Sequence, residues 1–121
     1  MVEGVIVVES LLPGSKIDQI ELVVTSLERI KVTDPAPGQP PVWTLVTFRS
    51  GADPDRLAQK VSVALESPGW YADFHDENSK WIVYPAGVVF RFARDDAEAR
   101  SSAQSHGLGL GIPVEQLDWK D

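Results

Sequence analysis

The chain has 121 residues, 43% hydrophobic and 24% charged, the profile of one globular domain around one core. It contains no cysteine, which excludes disulfides, thiolate zinc sites and thiol nucleophiles. Eighteen acidic against eleven basic residues give a formal charge of −7, and the bases are scattered, so the clustered Lys and Arg that grip a phosphate backbone are missing and no nucleic-acid partner is expected.

VIVV at 5–8 is too short for a signal-peptide core and is flanked by Glu3 and Glu9. No stretch approaches the roughly 20 apolar residues of a membrane span, so a cytoplasmic protein without a membrane partner is expected. GVIVVESLL (4–12) reads as a short buried strand and PGS (13–15) as a turn. In 17–32 helical and strand spacings compete. The β-branched content favours one long strand over 20–32, bulged near Ser26 where the alternation breaks and preceded by a helical turn at 15–19. DPAPGQPP (34–41) is a loop, and VWTLVTFRS (42–50) is a strand apolar on both sides, forming a hairpin with 20–32.

Asp53 and Pro54 are an N-cap and a first helical residue, and Leu57, Ala58, Val61, Ala64 and Leu65 then form one apolar helix face, ended by SPG (67–69). A second helix starts at Asp95, with Glu98 completing a capping box. Its small inner face is Ala99, Ala103 and His106, and Gly107 is the stop. The closing run 107–121 holds one helical turn begun by Pro113, docked through Leu117 and Trp119.

Between the helices, GWYADFHDENSKWIVYPAGVVFRF (69–92) carries both tyrosines, two of four tryptophans and three of four phenylalanines. It reads as three strands. Pairing Asp76 with Trp81, then Tyr84 with Gly87 across a two-residue turn, sets Phe74 opposite Val83 and Trp81 opposite Phe90. One face then carries Trp70, Ala72, Phe74, Trp81, Val83, Val88, Phe90 and Phe92 as core. The other carries Tyr71, Asp73, His75, Ile82, Tyr84, Val89 and Arg91, which makes these seven the candidate binding or interface residues. That face is too apolar to stand in water. The N-terminal strand or the tail covers it, a second subunit covers it, or it lines a pocket.

Asp73 beside His75 on one strand face is a pair able to do acid–base work, but no nucleophile lies near in sequence, and the plainer reading is an edge His and Asp by a loop. His75, Asp76, Glu77 and His106 lack the spacing of zinc motifs, so no metal and no cofactor is expected. GLGLG (107–111) follows a helix and lacks the last spacing of a dinucleotide loop, so it reads as cap and connector.

The runs GWYADF (69–74), IVYPAGVVFRF (82–92) and HGLGLGIPVEQLDW (106–119) resemble a family of small uncharacterised proteins that share a G-W-Y segment, a V-V-F-like hairpin and a closing G-I-P-x-x-Q-L-D-W. The chain departs from that pattern at His106, where Tyr is usual, and at Pro85-Ala86 in the turn. The resemblance implies a whole-domain unit and supplies no catalytic residues.

The element order predicts an α+β domain over 1–121, a mostly antiparallel sheet with two helices on one face, in the manner of a permuted ferredoxin-like sandwich. Missing catalytic motifs favour a non-enzymatic binding or assembly module acting through the outer sheet face, with a second copy of the chain or another protein as partner. The alternative is a small-molecule-binding protein or enzyme with a pocket around Tyr71, Asp73, His75 and Tyr84.

Overall fold

A computed structural model describes residues 1–119; Lys120 and Asp121, the end of the closing run, lie outside the described residues. The strands are β1 (Val2–Val7), β2 (Val23–Lys31), β3 (Val42–Ser50), β4 (Ala72–His75), β5 (Ser79–Val83) and β6 (Val89–Ala93); the helices are α1 (Pro54–Ala64) and α2 (Ala97–Gly109). Short 3-10 turns follow at Val8–Ser10 and Val114–Gln116. The expected helical turn at 15–19 is absent, and the first strand stops at Val7.

All six strands join one sheet in the order β2-β3-β1-β4-β5-β6, every neighbour antiparallel. The expected α+β class is therefore the one observed. The N-terminal strand is central, with β3 on one side and β4 on the other. Gly4 permits this: a Cβ there would lie 2.3 Å from the Asp73 carbonyl oxygen and 2.4 Å from Phe74 Cβ, so any side chain would push β1 off β4. The β2–β3 hairpin slips register between Val24 and Ser26, where the sequence predicts a bulge, and β2 is exposed along its whole length except at Ile30.

The first helix follows its sequence signals. Asp53 accepts from the Arg56 N–H at 3.3 Å, Pro54 opens the helix, and Leu57, Ala58 and Val61 are fully buried against Phe48, Phe74, Trp81 and Val83. Burial of Leu57 and of Val61 contributes about 1.5–3 kcal/mol each, and the Ala58 methyl about 0.8 kcal/mol. In α2 the cap is Asp96, which accepts from the Ala99 N–H at 3.0 Å. Asp95 is passed over because a tight turn, Asp96 N–H to Ala93 O at 2.9 Å, brings the chain out of β6 one residue further on. Gly107 does not stop α2. The stop is Gly111, at φ 87°, with Gly111 N–H donating to Leu108 O and Ile112 N–H to Gly107 O, the paired bonds of a left-handed glycine cap.

The helices do not share a face. Trp81, Val83 and Phe74 pack under α1, whereas Ile82, Tyr84 and Phe92, on the opposite side, pack under α2 with Ala103, Ile112 and Leu117. The faces of β6 are set by one residue in the β5–β6 turn. Tyr84 N–H donates to Val88 O, so Pro85, Ala86 and Gly87 form a three-residue loop rather than a two-residue turn. Ser62 of α1 holds that loop, donating to Tyr84 O and accepting from Gly87 N–H. Trp81 therefore pairs with Arg91, and Val83 with Val89. This single-residue shift turns Phe90 and Phe92 to the α2 side and Val89 and Arg91 to the α1 side. The β4–β5 register also differs, with Phe74 opposite Trp81, but by two residues, which leaves the faces as expected.

Candidate functional site

The seven candidate residues go to four different places. Ile82 and Tyr84 are fully buried beneath α2 and the tail, so they belong to a second core and offer no surface. The Tyr84 hydroxyl donates to Ala103 O at 2.6 Å, and burial pushes its pKa up. Val89 and Arg91 lie on the α1 side. Val89 packs on the main core, and Arg91 donates to Asp55 Oδ2 at 2.9 Å with its guanidinium 5.0 Å from the Trp81 ring centre. His75 ends β4 in a polar depression with Glu3, Arg49, Asp76, Glu77 and Arg94.

Tyr71 and Asp73 remain together, and they wall a cavity. The α2 side of the sheet is covered only over its β4–β6 half. Where the cover ends, a half-open cavity of about 190 Å³ is lined by Val5 and Val7 from β1, Trp43 from β3, Trp70, Tyr71, Asp73 and Gln116. Antiparallel pairing places Asp73 directly across from Val5, whose other neighbour is Thr47. Trp43 and Trp70 meet at 5.1 Å between ring centres, tilted by 59°. An adjoining open groove of about 610 Å³ shares Trp43 and Gln116 and runs along Ile30, Asp34 and Glu115.

The wall is held by segments far apart in sequence. The Tyr71 hydroxyl donates to Gln116 O and accepts from the Trp119 indole N–H, the latter at 2.9 Å. Gln39 Nε2 donates to Gly69 O at 2.9 Å, and Gln116 Nε2 donates to Gln39 Oε1 at 3.1 Å. The β2–β3 loop, the segment before β4 and the tail are thereby tied at one rim. The closing QLDW run, which the sequence presents as an apolar dock, is also a polar one.

Asp73 is the charged residue of the cavity. Its side chain keeps 31% of its accessibility, and Oδ2 lies 3.9 Å from Lys80 Nζ, a nearly buried ammonium also 5.9 Å from the Trp119 ring centre. Burial pushes the Asp73 pKa above the ordinary carboxylate range, against the opposing pull of Lys80 and His75. Burial likewise raises the Tyr71 pKa, with Asp73 and Asp118 adding to the effect and the Trp119 hydrogen bond opposing it. Thr47, the hydroxyl two strands from Asp73 on the same face, stands roughly 10 Å away by strand spacing, beyond reach of proton transfer. Among the described residues, no three His, Asp or Glu side chains come together as a metal site. No helix among the described residues is long and apolar enough to cross a membrane.

Trp43 is the site residue that sequence reasoning missed. It lies in a strand apolar on both alternating sets, which gives no sign of which side stays open. Comparison with family models, with curated proteins and with solved structures returns no match for this chain.

Proposed function

We propose that the chain is a non-enzymatic binding module that takes a protein segment on the uncovered half of its sheet, with Trp43 at the centre of the contact. The observation that carries this reading is the continuity of two concavities. The half-open cavity and the open groove share Trp43 and Gln116 in their walls, so the concave surface extends from Asp73 to Ile30 and Asp34, which suits an extended segment better than a single compact ligand. Aromatic anchors in apolar surroundings with a polar border are what binding surfaces are commonly made of. Val5, Val7, Trp43 and Ile30 supply the apolar part and Asp34, Asp73 and Glu115 the border. The small-molecule reading keeps one argument in its favour, the partial enclosure of the cavity, although its 190 Å³ falls below the roughly 300–1,000 Å³ of drug-sized sites.

The test is an amide and indole NMR titration with a pool of short extended peptides. Binders should perturb Val5, Val7, Ile30, Trp43 and Gln116 together. Perturbations confined to the His75 depression, or to the cavity without the groove, would defeat the proposal.

A further inference from the structure

We propose that the partner segment is basic and that the cavity between Trp43, Trp70 and Asp73 receives one of its Lys or Arg side chains. This rests on the binding-module reading and names the chemistry it selects. Asp73 is the charged residue lining the cavity, and it sits among aromatic and aliphatic walls. A long aliphatic stem ending in a cation matches both parts: the stem packs on Val5 and Val7, and the head meets the carboxylate and the electron-rich ring faces.

The chain makes this arrangement twice within itself. Lys80 lies between Asp73 and Trp119, and Arg91 lies between Asp55 and Trp81. The cavity presents the same pair of elements, a carboxylate and indole rings, towards the outside. A carboxylate has about four acceptor sites, so a 3.9 Å contact from Lys80 to one oxygen leaves capacity for a second cation. The groove beyond continues the pattern, with Asp34 and Glu115 against Lys31 among its lining residues, on a chain of net charge −7. Electrostatic complementarity of this kind steers partners of opposite sign.

The experiment uses the peptide acetyl-Ala-Val-Lys-Val-Ala-amide, its analogue with norleucine in place of lysine, and n-butylammonium. Each is titrated into the full chain while the Trp43 and Trp70 indole N–H resonances are followed. The lysine peptide is expected to saturate both shifts at least about tenfold more tightly than the norleucine peptide, the scale of one partly desolvated cation–π contact. In Asp73→Asn, which keeps both indoles, the preference for lysine should fall to about threefold or less. Equal affinity of the two peptides for the wild type overturns the cation assignment and leaves the binding-module reading standing. No shift with either peptide at about millimolar concentration overturns both. Butylammonium binding as tightly as the lysine peptide overturns a protein segment as the source. Trp43→Leu, at the half-buried rim, is the second variant. With a native amide spectrum it should also lose the preference for lysine, and keeping that preference overturns the role given to the indole.

Discussion

The indole N–H of Trp119 donates to the hydroxyl of Tyr71 at 2.9 Å, and that hydroxyl in turn donates to the Gln116 carbonyl. One phenol thus fastens the C-terminal run to the segment before β4. Tyr71→Phe should leave both a donor and an acceptor without their partner and cost about 1–3 kcal/mol in urea unfolding, and Trp119→Phe should show a smaller loss of the same sign. Tyr71→Phe at wild-type stability would mean that the tail is held by apolar contact alone.

Two glycines of α2 should respond in opposite ways to the same change. A Cβ at Gly107 would lie 2.7 Å from the Tyr84 hydroxyl and 2.8 Å from Leu117 Cδ2, both inside the second core. Gly107→Ala is therefore expected to destabilise by about 1–3 kcal/mol despite the better helix propensity of alanine. Gly109 has nothing within 4 Å, and Gly109→Ala should gain about 0.4–1 kcal/mol. Thermal melts of the two variants decide whether α2 packs as closely as described.

Asp73 should cost stability at neutral pH. Its folded pKa is raised, so the folded chain keeps the proton at a pH where the unfolded chain, titrating near about 3.9, has lost it. Below the unfolded value the group costs nothing. As pH rises through the folded value the partly buried carboxylate ionises and stability falls, with the full cost present above it. Asp73→Asn should melt higher than wild type at pH 7, and the gap should close on acidification. A constant gap across that range would assign the effect to packing rather than ionisation.

Glu9 should show the reverse sign. Burial alone would raise its pKa, but hydrogen bonds from the Thr44 N–H at 2.6 Å and the Thr44 hydroxyl at 2.9 Å, helped by the charge of Arg29, leave it lowered. Its contribution is present above the unfolded carboxyl value of about 4.3 and is lost as pH falls through the lower folded value. Glu9→Gln should be less stable than wild type at pH 7 and approach it under acid. The carboxylate stands where β1 has left the sheet, so amide exchange at Thr44 should rise in the variant.

The fold was legible where local chemistry decides it. Asp53-Pro54 and the apolar face of α1, the prolines of 34–41 and the broken alternation at Ser26 each announced an element that formed. The layer arrangement was not legible, because it hangs on whether YPAG makes a two- or three-residue turn. Ala86 adopts φ 65°, a conformation alanine does not advertise, and Ser62, far away in sequence, holds the loop. With the β6 faces exchanged, the outward patch expected at Ile82 and Tyr84 became a core. Tyr71 and Asp73 kept their side, as did Ile82 and Tyr84; the two pairs differ in cover, since α2 and the closing run seal Ile82 and Tyr84 and leave Tyr71 and Asp73 on the wall of the cavity.

The sheet is roofed on both sides at β5 and bare on both sides at β2. Tolerance to substitution should therefore form a gradient along one continuous layer. At Ile82 or Trp81 almost any change disturbs a core, whereas at Val23, Val24 or Leu27 the chain can vary with little structural consequence. The cavity rim at Trp43 sits on the boundary between the two regimes, anchored from the constrained side and shaped from the permissive one. Substitutions in β2 and its loop should therefore reshape the rim at Trp43 while leaving both cores intact.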